Sequence, residues 1–431
     1  MAYKNRNVND LAESLYPKNS EEYNNYINTH QEMGIPSIIA FDNSVDYEFE
    51  RLWKRRNVEK AQATIEYINE NGQTDYKRIG LVFEKHKKSW FLASDLFVYD
   101  FERALPPINN DPPERNPLSI SDPNINHYDV QENDFIQWGS FNQATNLLSL
   151  SFPVNYKDFE PHWFANNKKL YHIEIDPSNP YFTSLDGVVY NKDMTKLIYY
   201  PRGKISAEGS PNGEFTVPDT VKIIGKEAFY NNSGLKKVIL SPSVRYLYQD
   251  SFHFSANLEE IILNEGLLKI GKGAFTFNPK LSSVTIPSSV IEIGYNCFFN
   301  SAKLSSVEFS QPSKLESLGQ GAFSNCMKLT EINLPNSLER IENWTFDNCS
   351  SLKQLSLPAD LNYIGVAAFD NCSLLQTLFI PSQISSIKRK AFHNCDNLEL
   401  FVEASQKPPG WDDEWGLGLP KDPVWNAQPS A

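Results

Sequence analysis

The sequence predicts a β-rich solenoid of about ten 23-residue turns with one inserted hairpin, preceded by a small α+β domain. Three observations support this fold class. Phenylalanine recurs at a constant interval over the last two thirds of the chain, short runs of alternating apolar and polar residues stand at a fixed distance from it, and residues 1–103 lack this period. A chain of 431 residues also exceeds one ordinary core, so more than one domain is expected.

Residues 1–103 are predicted to form the α+β domain. Three helices and a hairpin are expected there: helices over about 9–16, 20–34 and 45–68, and strands over 79–83 and 90–101. The third helix is inferred from apolar residues at helical spacing between Phe49 and Ile68, and Asn71-Gly72 is its expected stop. Residues 104–132 follow as a predicted linker. Six prolines fall between Ala104 and Pro123, and a proline-rich segment is a semi-rigid spacer.

The repeat is defined by a phenylalanine that we call the marker. Its spacing is 23 residues, except for one step of 25 residues between Phe298 and Phe323 and one interruption between Phe164 and Phe229. The markers are Phe141, Phe164, Phe229, Phe252, Phe275, Phe298, Phe323, Phe346, Phe369 and Phe392. From Phe229 onward, leucine stands six residues after each marker, and aliphatic residues stand five and eight residues before it. These columns predict a solenoid over 133–398, interrupted by an insert at 176–215.

One repeat contains the elements of a solenoid turn. The run Leu281–Pro287 alternates apolar and polar residues, as a strand with one buried face does, and proline ends it. The marker Phe298 is expected to point inward from a short helical turn. A single turn cannot bury its apolar face alone, but stacked turns can. Ten turns at about 4.8 Å give a rod on the order of 50 Å long.

The insert and the end of the chain are predicted from local signals. Val188–Tyr190, a polar turn and Leu197–Tyr200 form a hairpin pattern. Residues 399–431 contain Trp411, Trp415 and Trp425 and are predicted to cap the open end of the core. A sugar-binding role for these tryptophans is the alternative.

The column three residues after the marker holds short polar side chains or cysteine: Asn232, Ser255, Asn278, Ser301, Cys326, Cys349, Cys372 and Cys395. Such side chains can bond to the backbone of a neighbouring turn, so the cysteines are expected to be buried and reduced. Disulfides between stacked turns are the alternative. The cysteines show no C-x-x-C spacing, so no metal site is predicted.

The sequence offers little support for catalysis. It has no G-x-S-x-G, no phosphate-binding loop and no paired-carboxylate motif that indicates a site, so no enzyme and no cofactor are predicted. His162 and His172, near Asp158 and Glu160, form the only loose cluster, and we interpret them as surface residues rather than metal ligands. The net charge of −13 argues against nucleic-acid binding, and no apolar run is long enough for a membrane helix.

The repeats resemble those of BspA-like (type 5) leucine-rich-repeat proteins. The segment IPSSVIEIGYNCFFNSAKLSSVEF resembles one unit, IDPSNPYFTSLDGVVYNKDMTKLIYYPRGK resembles a segment common in these proteins, and the ending KPPGWDDEWGLG resembles their terminus. The resemblance covers about residues 133–426. It implies a leucine-rich-repeat fold and a role in adhesion, host-factor binding or protein contact, mostly at cell surfaces.

Two features set the expected location and attachment. The chain starts at Met1 and continues in polar sequence without a secretion signal, so a cytoplasmic protein or a component of a released particle is expected. Residues 1–103 are expected to attach the protein to a larger assembly.

The exposed side of the main strands is the predicted binding surface for a protein or glycan. Apolar residues at its outward positions indicate a partner, and the candidates are Ile239, Ile262, Phe379, Tyr171 and His172. Two alternatives stay open at this stage. The chain is a structural or receptor-binding part of a larger particle such as a phage virion, or an enzyme with its site in residues 1–103.

Overall fold

The computed structural model describes residues 118–204 and 213–428, together with the backbone of four strands between residues 47 and 92. The chain divides into two compact units, Met1–Glu114 and Arg115–Ala431. The predicted helices over 9–16 and 20–34, and residues 104–117 of the predicted linker, lie outside the described residues.

The first unit contains an antiparallel sheet with the strand order β1-β2-β3-β4, formed by β1 (Tyr47–Arg55), β2 (Val58–Ile68), β3 (Thr74–His86) and β4 (Ser89–Leu92). The helix predicted over 45–68 is therefore wrong. Residues 59–67 carry apolar side chains at every second position from Ala61 to Tyr67, a period that fits a strand better than a helix. The predicted hairpin is confirmed as far as residue 92, because β3 pairs with β4 in antiparallel fashion; residues 93–101 lie outside the described residues.

The second unit is a β-solenoid. Its strands, in chain order, are β5 (His127–Asp129), β6 (Ser149–Phe152), β7 (His172–Ile175), β8 (Phe182–Leu185), β9 (Val188–Asn191), β10 (Lys196–Tyr199), β11 (Glu214–Thr216), β12 (Ile223–Ile224), β13 (Lys237–Ile239), β14 (Tyr246–Leu247), β15 (Glu260–Ile262), β16 (Lys269–Ile270), β17 (Ser283–Ile286), β18 (Glu292–Ile293), β19 (Ser306–Phe309), β20 (Ser317–Leu318), β21 (Glu331–Asn333), β22 (Arg340–Ile341), β23 (Gln354–Ser356), β24 (Tyr363–Ile364), β25 (Thr377–Ile380), β26 (Ser386–Ile387), β27 (Glu399–Val402) and β28 (Val424–Trp425).

The solenoid has about thirteen turns, three more than the markers predict. The main strands are β5, β6, β7, β11, the odd-numbered strands from β13 to β27, and β28. Ten of these main strands follow a marker. β5, β11 and β28 do not, so the sequence pattern did not predict the turns that contain them. Part of the predicted linker also belongs to the solenoid, because Leu118, Ile120 and Ile125 pack against its first core cluster.

The marker segment is a series of turns rather than the expected short helix. In the eight turns from Phe229 to Phe392, the residues two before and two after the marker have positive φ, between 50° and 65°. Most of their backbone N–H groups, and those of most markers, donate to carbonyl oxygens of the following turn, as Phe275 N does to Cys297 O (2.8 Å). A helix would direct these donors to its own carbonyls, so the ladder between turns replaces it. Within residues 118–203 and 213–428, the one helical segment is the 3-10 turn Pro161–Phe164.

The core is a ladder of marker rings. From Phe229 to Phe392 the rings stack with centroids 4.6–5.6 Å apart and planes within 5–10° of each other. Trp415 meets the last ring edge-on, and Trp411 and Trp415 are buried. The residues after Leu398 therefore cover the end of the core, as a cap does.

The side chains three residues after each marker form the predicted hydrogen bonds to the neighbouring turn. Ser255, Asn278, Ser301 and the four cysteines each donate to the carbonyl oxygen of the marker in the preceding turn, over 3.0–3.2 Å. All five cysteines are buried and free, which excludes the disulfide alternative. Burial raises the pKa of the Cys326 thiol to about 12, so this thiol is protonated at neutral pH.

The insert continues the sheet of short strands. β8, β9 and β10 form an antiparallel meander, and β10 pairs in parallel with β12. Arg202 is buried behind them and donates to the carbonyl oxygens of Ala165 and Asn231, one on each side of the insert. This side chain bonds the two arrays of turns together.

Candidate binding surface

The strand face is the outward side of the main strands, and the structure places it where the alternation predicts. In β17, Val284 and Ile286 are buried and Ser283 and Thr285 are exposed, and the same alternation holds from β15 to β25. Most outward positions on this face are polar, so the apolar exceptions are conspicuous candidates for binding.

Ile239 and Ile262 are neighbours on this face. β13 pairs with β15 so that Ile239 stands beside Ile262, and Ile239 stands beside Thr216 of β11 on its other side. Ile262 is 40% exposed and Ile239 is half-buried. In the next column, Lys237 Nζ lies 2.8 Å from Glu260 Oε2. The two isoleucines therefore form a small apolar patch with a charged border.

Phe379 belongs to a second patch at the far end of the face. It pairs with Phe401 of β27, which in turn pairs with Val424 of β28. Val424 is 49% exposed, and the two phenylalanines are half-buried. Thr285, Glu308, Asn333 and Ser356 separate this row from Ile262, so the structure does not bring the two patches together.

Phe401 and Val424 are residues that the sequence pattern missed. Phe379 and Phe401 are 22 residues apart because the last turn is one residue short before its strand, and β28 has no marker. The alternation of buried Leu400 and Val402 around Phe401 was the available signal.

Tyr171 and His172 lie where the insert meets the strand face. Ile173 N donates to Gly187 O over 3.2 Å, and a Cβ atom on Gly187 would stand 2.8 Å from His172 Cα. Gly187 also has a φ of +77°, so only glycine fits this close approach without strain. Both aromatic residues are half-buried, and their rings are 6.2 Å apart.

The loose cluster around His162 and His172 is not assembled into a site. His162 Nδ1 lies 3.8 Å from Glu160 and 3.7 Å from Glu227, whereas His172 packs beside Gly187. The described residues contain no group of three or more histidine, cysteine, aspartate or glutamate side chains able to hold a metal ion. They also contain no helix long and apolar enough to cross a membrane.

The turn face, formed by the residues one and two after each marker, is divided into two halves. From Phe229 to Phe298 it carries an aromatic cluster, which consists of Tyr230, His253, Phe254, Phe277 and Phe299. From Phe323 to Phe392 it is polar: Asn348 Nδ2 donates to Asn325 Oδ1, and Asp370 Oδ1 lies 2.9 Å from His393 Nδ1. Burial raises the pKa of the Asp347 carboxyl in this half.

Comparison with known proteins supports the repeat assignment. The model of the BspA type leucine rich repeat region matches residues 121–197, 208–314 and 307–406, with six copies. These ranges cover more than half of the chain. No curated protein sequence matches it significantly.

The solved structures that resemble the chain are bacterial leucine-rich-repeat proteins. One from Eubacterium ventriosum is 26% identical over 52% of this chain and 59% of its own length, with a TM-score of 0.47. The T. pallidum leucine-rich-repeat protein TpLRR is 27% identical over 43% of this chain and 86% of its own length, with a TM-score of 0.38. The pneumococcal vaccine antigen PcpA is 23% identical over 66% and 56%, with a TM-score of 0.38. The chain thus spans about three fifths of the Eubacterium protein.

Proposed function

Because the chain belongs to the BspA-type leucine-rich-repeat family, we propose that it is a non-enzymatic binding protein whose strand face holds a protein or glycan partner. The N-terminal unit is then the part that attaches the protein to a larger assembly.

The observation that carries the proposal is the pair Ile239 and Ile262. Paired strands place two aliphatic side chains side by side on a sheet whose other outward residues are mostly polar. Exposure of such a pair to water is unfavourable by roughly 25 cal/mol per Å² of apolar surface, and a partner that covers it recovers this free energy. Neither side chain is needed for the core, because the inward positions of both strands are filled by Val238 and Ile261.

The test is capture by the full chain before and after a charge is placed on the patch. We expect Ile239→Glu with Ile262→Glu to abolish capture of the partner from target cells or a glycan array, without lowering the melting temperature. Thr285→Glu with Asn333→Glu is the matched control, since both positions are exposed on the same face. Unchanged capture by the isoleucine variant would contradict the proposed surface, and loss of folding would show that these residues are core.

A further inference from the structure

A basic strip lies on the outward side of the short strands β10, β12, β14 and β16, which are neighbours in one sheet. Its members are Lys196 and the cations that stand from seven to three residues before the next three markers: Lys222, Lys226, Arg245, Lys269 and Lys272. No aspartate or glutamate occupies these positions, although the chain as a whole has a net charge of −13. In each of the next three turns, the same positions carry more acidic than basic side chains. The cations are therefore concentrated in one section of the rod.

Strand pairing brings the members of the strip together. One column of paired residues crosses the four strands and contains Lys196, Ile223, Tyr246 and Lys269. Lys222 and Arg245 stand in the column beside it, on adjacent turns, where Arg245 N donates to Lys222 O over 2.8 Å. Lys272 is exposed and the other five cations are half-buried, so all six reach the surface.

An aromatic ring positions one cation at the centre of the strip. Lys196 Nζ lies 5.4 Å from the centroid of the Tyr248 ring, an arrangement that contributes about 0.5–1 kcal/mol at an exposed site. The column four residues before the marker is glycine in five of the eight turns, and Tyr248 is an exception. Lys196 passes over Gly225 in this column, where a Cβ atom would stand 3.2 Å from Lys196 Cε. The close approach at glycine thus lets the lysine extend to the tyrosine.

The acidic residues that border the strip are fewer than its cations and already have partners. They are Glu227, Asp250 and Glu292. Glu292 Oε2 lies 2.8 Å from Lys269 Nζ, and both carboxylate oxygens of Asp250 are bonded to side chains of its own turn. Glu227 lies 3.8 Å from Lys226 Nζ and 3.7 Å from a histidine of an earlier turn. Six cations beside three carboxylates leave an excess of positive charge, which attracts an anionic ligand.

The uncharged members of the surface indicate which anion fits. Tyr295 is 61% exposed and follows Lys226, Gln249 and Lys272 in the column three residues before the marker. Backbone bonds join these turns, since Asp250 N donates to Lys272 O over 2.9 Å and Gly273 N to Tyr295 O over 2.8 Å. A tyrosine ring offers an apolar face and a hydroxyl, as a sugar ring does.

The charge balance favours a glycan over a nucleic acid. A nucleic-acid strand carries one negative charge in about 3.4 Å, and a protein with a net charge of −13 repels so dense a polyanion. A glycan of uronic-acid units separates its carboxylates by neutral hydroxyl groups. This pattern matches cations that are interspersed with tyrosine and glutamine side chains.

We propose that the basic strip is a second binding surface, which takes a linear glycan that carries carboxylate groups. Lys226 and Lys272 pair with carboxylates, Lys196 does so from its place over Tyr248, and Tyr295 lies against a sugar ring at the end of the strip. The strip is on the short strands rather than on the main strands, and the proposal does not depend on the function proposed for the strand face.

The experiment titrates the full chain with a fluorescent galacturonate oligosaccharide. The control probe is its methyl ester, which has the same backbone without the charge. We expect binding of the charged probe alone, and weaker binding as the ionic strength rises. Lys226→Gln with Lys272→Gln should weaken binding by at least about tenfold and keep the melting temperature, because glutamine occupies the same column at Gln249 and Gln320.

Matched variants separate the strip from the rest of the molecule. Arg389→Gln removes a cation from the same column in the last marker turn and should leave binding unchanged. Lys226→Arg with Lys272→Arg keeps the charge and should keep binding within about threefold. Tyr295→Ala should weaken binding without changing its dependence on ionic strength. Ile239→Glu should leave it unchanged, which separates this result from the fate of the strand face.

Four outcomes would overturn the proposal. They are no binding to the unaltered chain, equal binding of the methyl ester, equal binding by the double glutamine variant, and unfolding of that variant, which would show that the two lysines are retained for stability. An oligodeoxynucleotide that binds more tightly than the glycan, and is lost in the same variant, would assign the strip to nucleic acid instead.

Discussion

The turns carrying Phe229 to Phe298 and those carrying Phe323 to Phe392 have the same backbone but different side chains. The first four have Asn, Phe, Phe and Asn two after the marker and Asn or Ser three after it, whereas the last four have asparagine and cysteine throughout. The bonds from the second position to the next turn nevertheless stay within 2.7–3.0 Å along both halves. The backbone is therefore determined by the stacked turns, and the residues in these columns are free to serve other purposes.

The largest effect is expected from the markers, which should matter equally in both halves. We expect Phe275→Ala and Phe346→Ala each to lower the free energy of unfolding by about 3–5 kcal/mol, because each opens a cavity in the continuous ring stack. Urea denaturation followed by circular dichroism measures this. A clear difference between the two variants would contradict the view that both halves share one scaffold.

A smaller effect is expected when the aromatic feature is moved into the polar half. Asn348→Phe should lower the free energy of unfolding by about 1–3 kcal/mol, since phenylalanine is strained at the φ of 57° found there. The reverse change in the aromatic half, Phe277→Asn alone, should be neutral or stabilising. Thermal melts of the two single variants test this, and destabilisation by both would mean that the stacking of Phe277 outweighs its strain.

The smallest effect is expected from exchanging the donors of the third column. Cys349→Ser and Ser301→Cys should each change the free energy of unfolding by less than about 1 kcal/mol, because both side chains donate to the marker carbonyl of the preceding turn. Cys349→Val, which fills the space without donating, should cost more. If valine were tolerated as well as serine, the bond to the neighbouring turn would contribute nothing to stability.

The solenoid could be predicted because its period is repeated many times. Each marker, with the leucine six residues later, fixes a turn, and the alternation in runs such as Leu281–Pro287 correctly predicts the inward and outward faces. The turns at β5, β11 and β28 were missed because they lack the marker on which the count rests. Ile239 and Ile262 could be placed on the surface for the same reason, although their role as a binding site stays a prediction.

The remaining features depend on information that is not periodic. Phe401 and Val424 join Phe379 only through pairing across a shortened turn. The aromatic cluster depends on Phe254 and Phe277 being one rung apart, which is visible only when the column is read as a stack. In the first unit each element occurs only once, so no repeat decided between a helical and a strand period over residues 45–68. Apolar spacing alone therefore predicted a helix where the structure has strands.

The 25-residue step between Phe298 and Phe323 has a consequence for protein engineering. Its two extra residues are accommodated between Phe309 and Leu315, outside the core, while Phe298 N still donates to Ala322 O over 2.8 Å and the two marker rings stay 5.4 Å apart. The bend around Gln311 is thus a permissive position, where a peptide tag or a labelling sequence can be spliced in. Such an insertion would lie between the aromatic and the polar turns. The distance from a label placed there to a bound partner would show which turns the partner contacts.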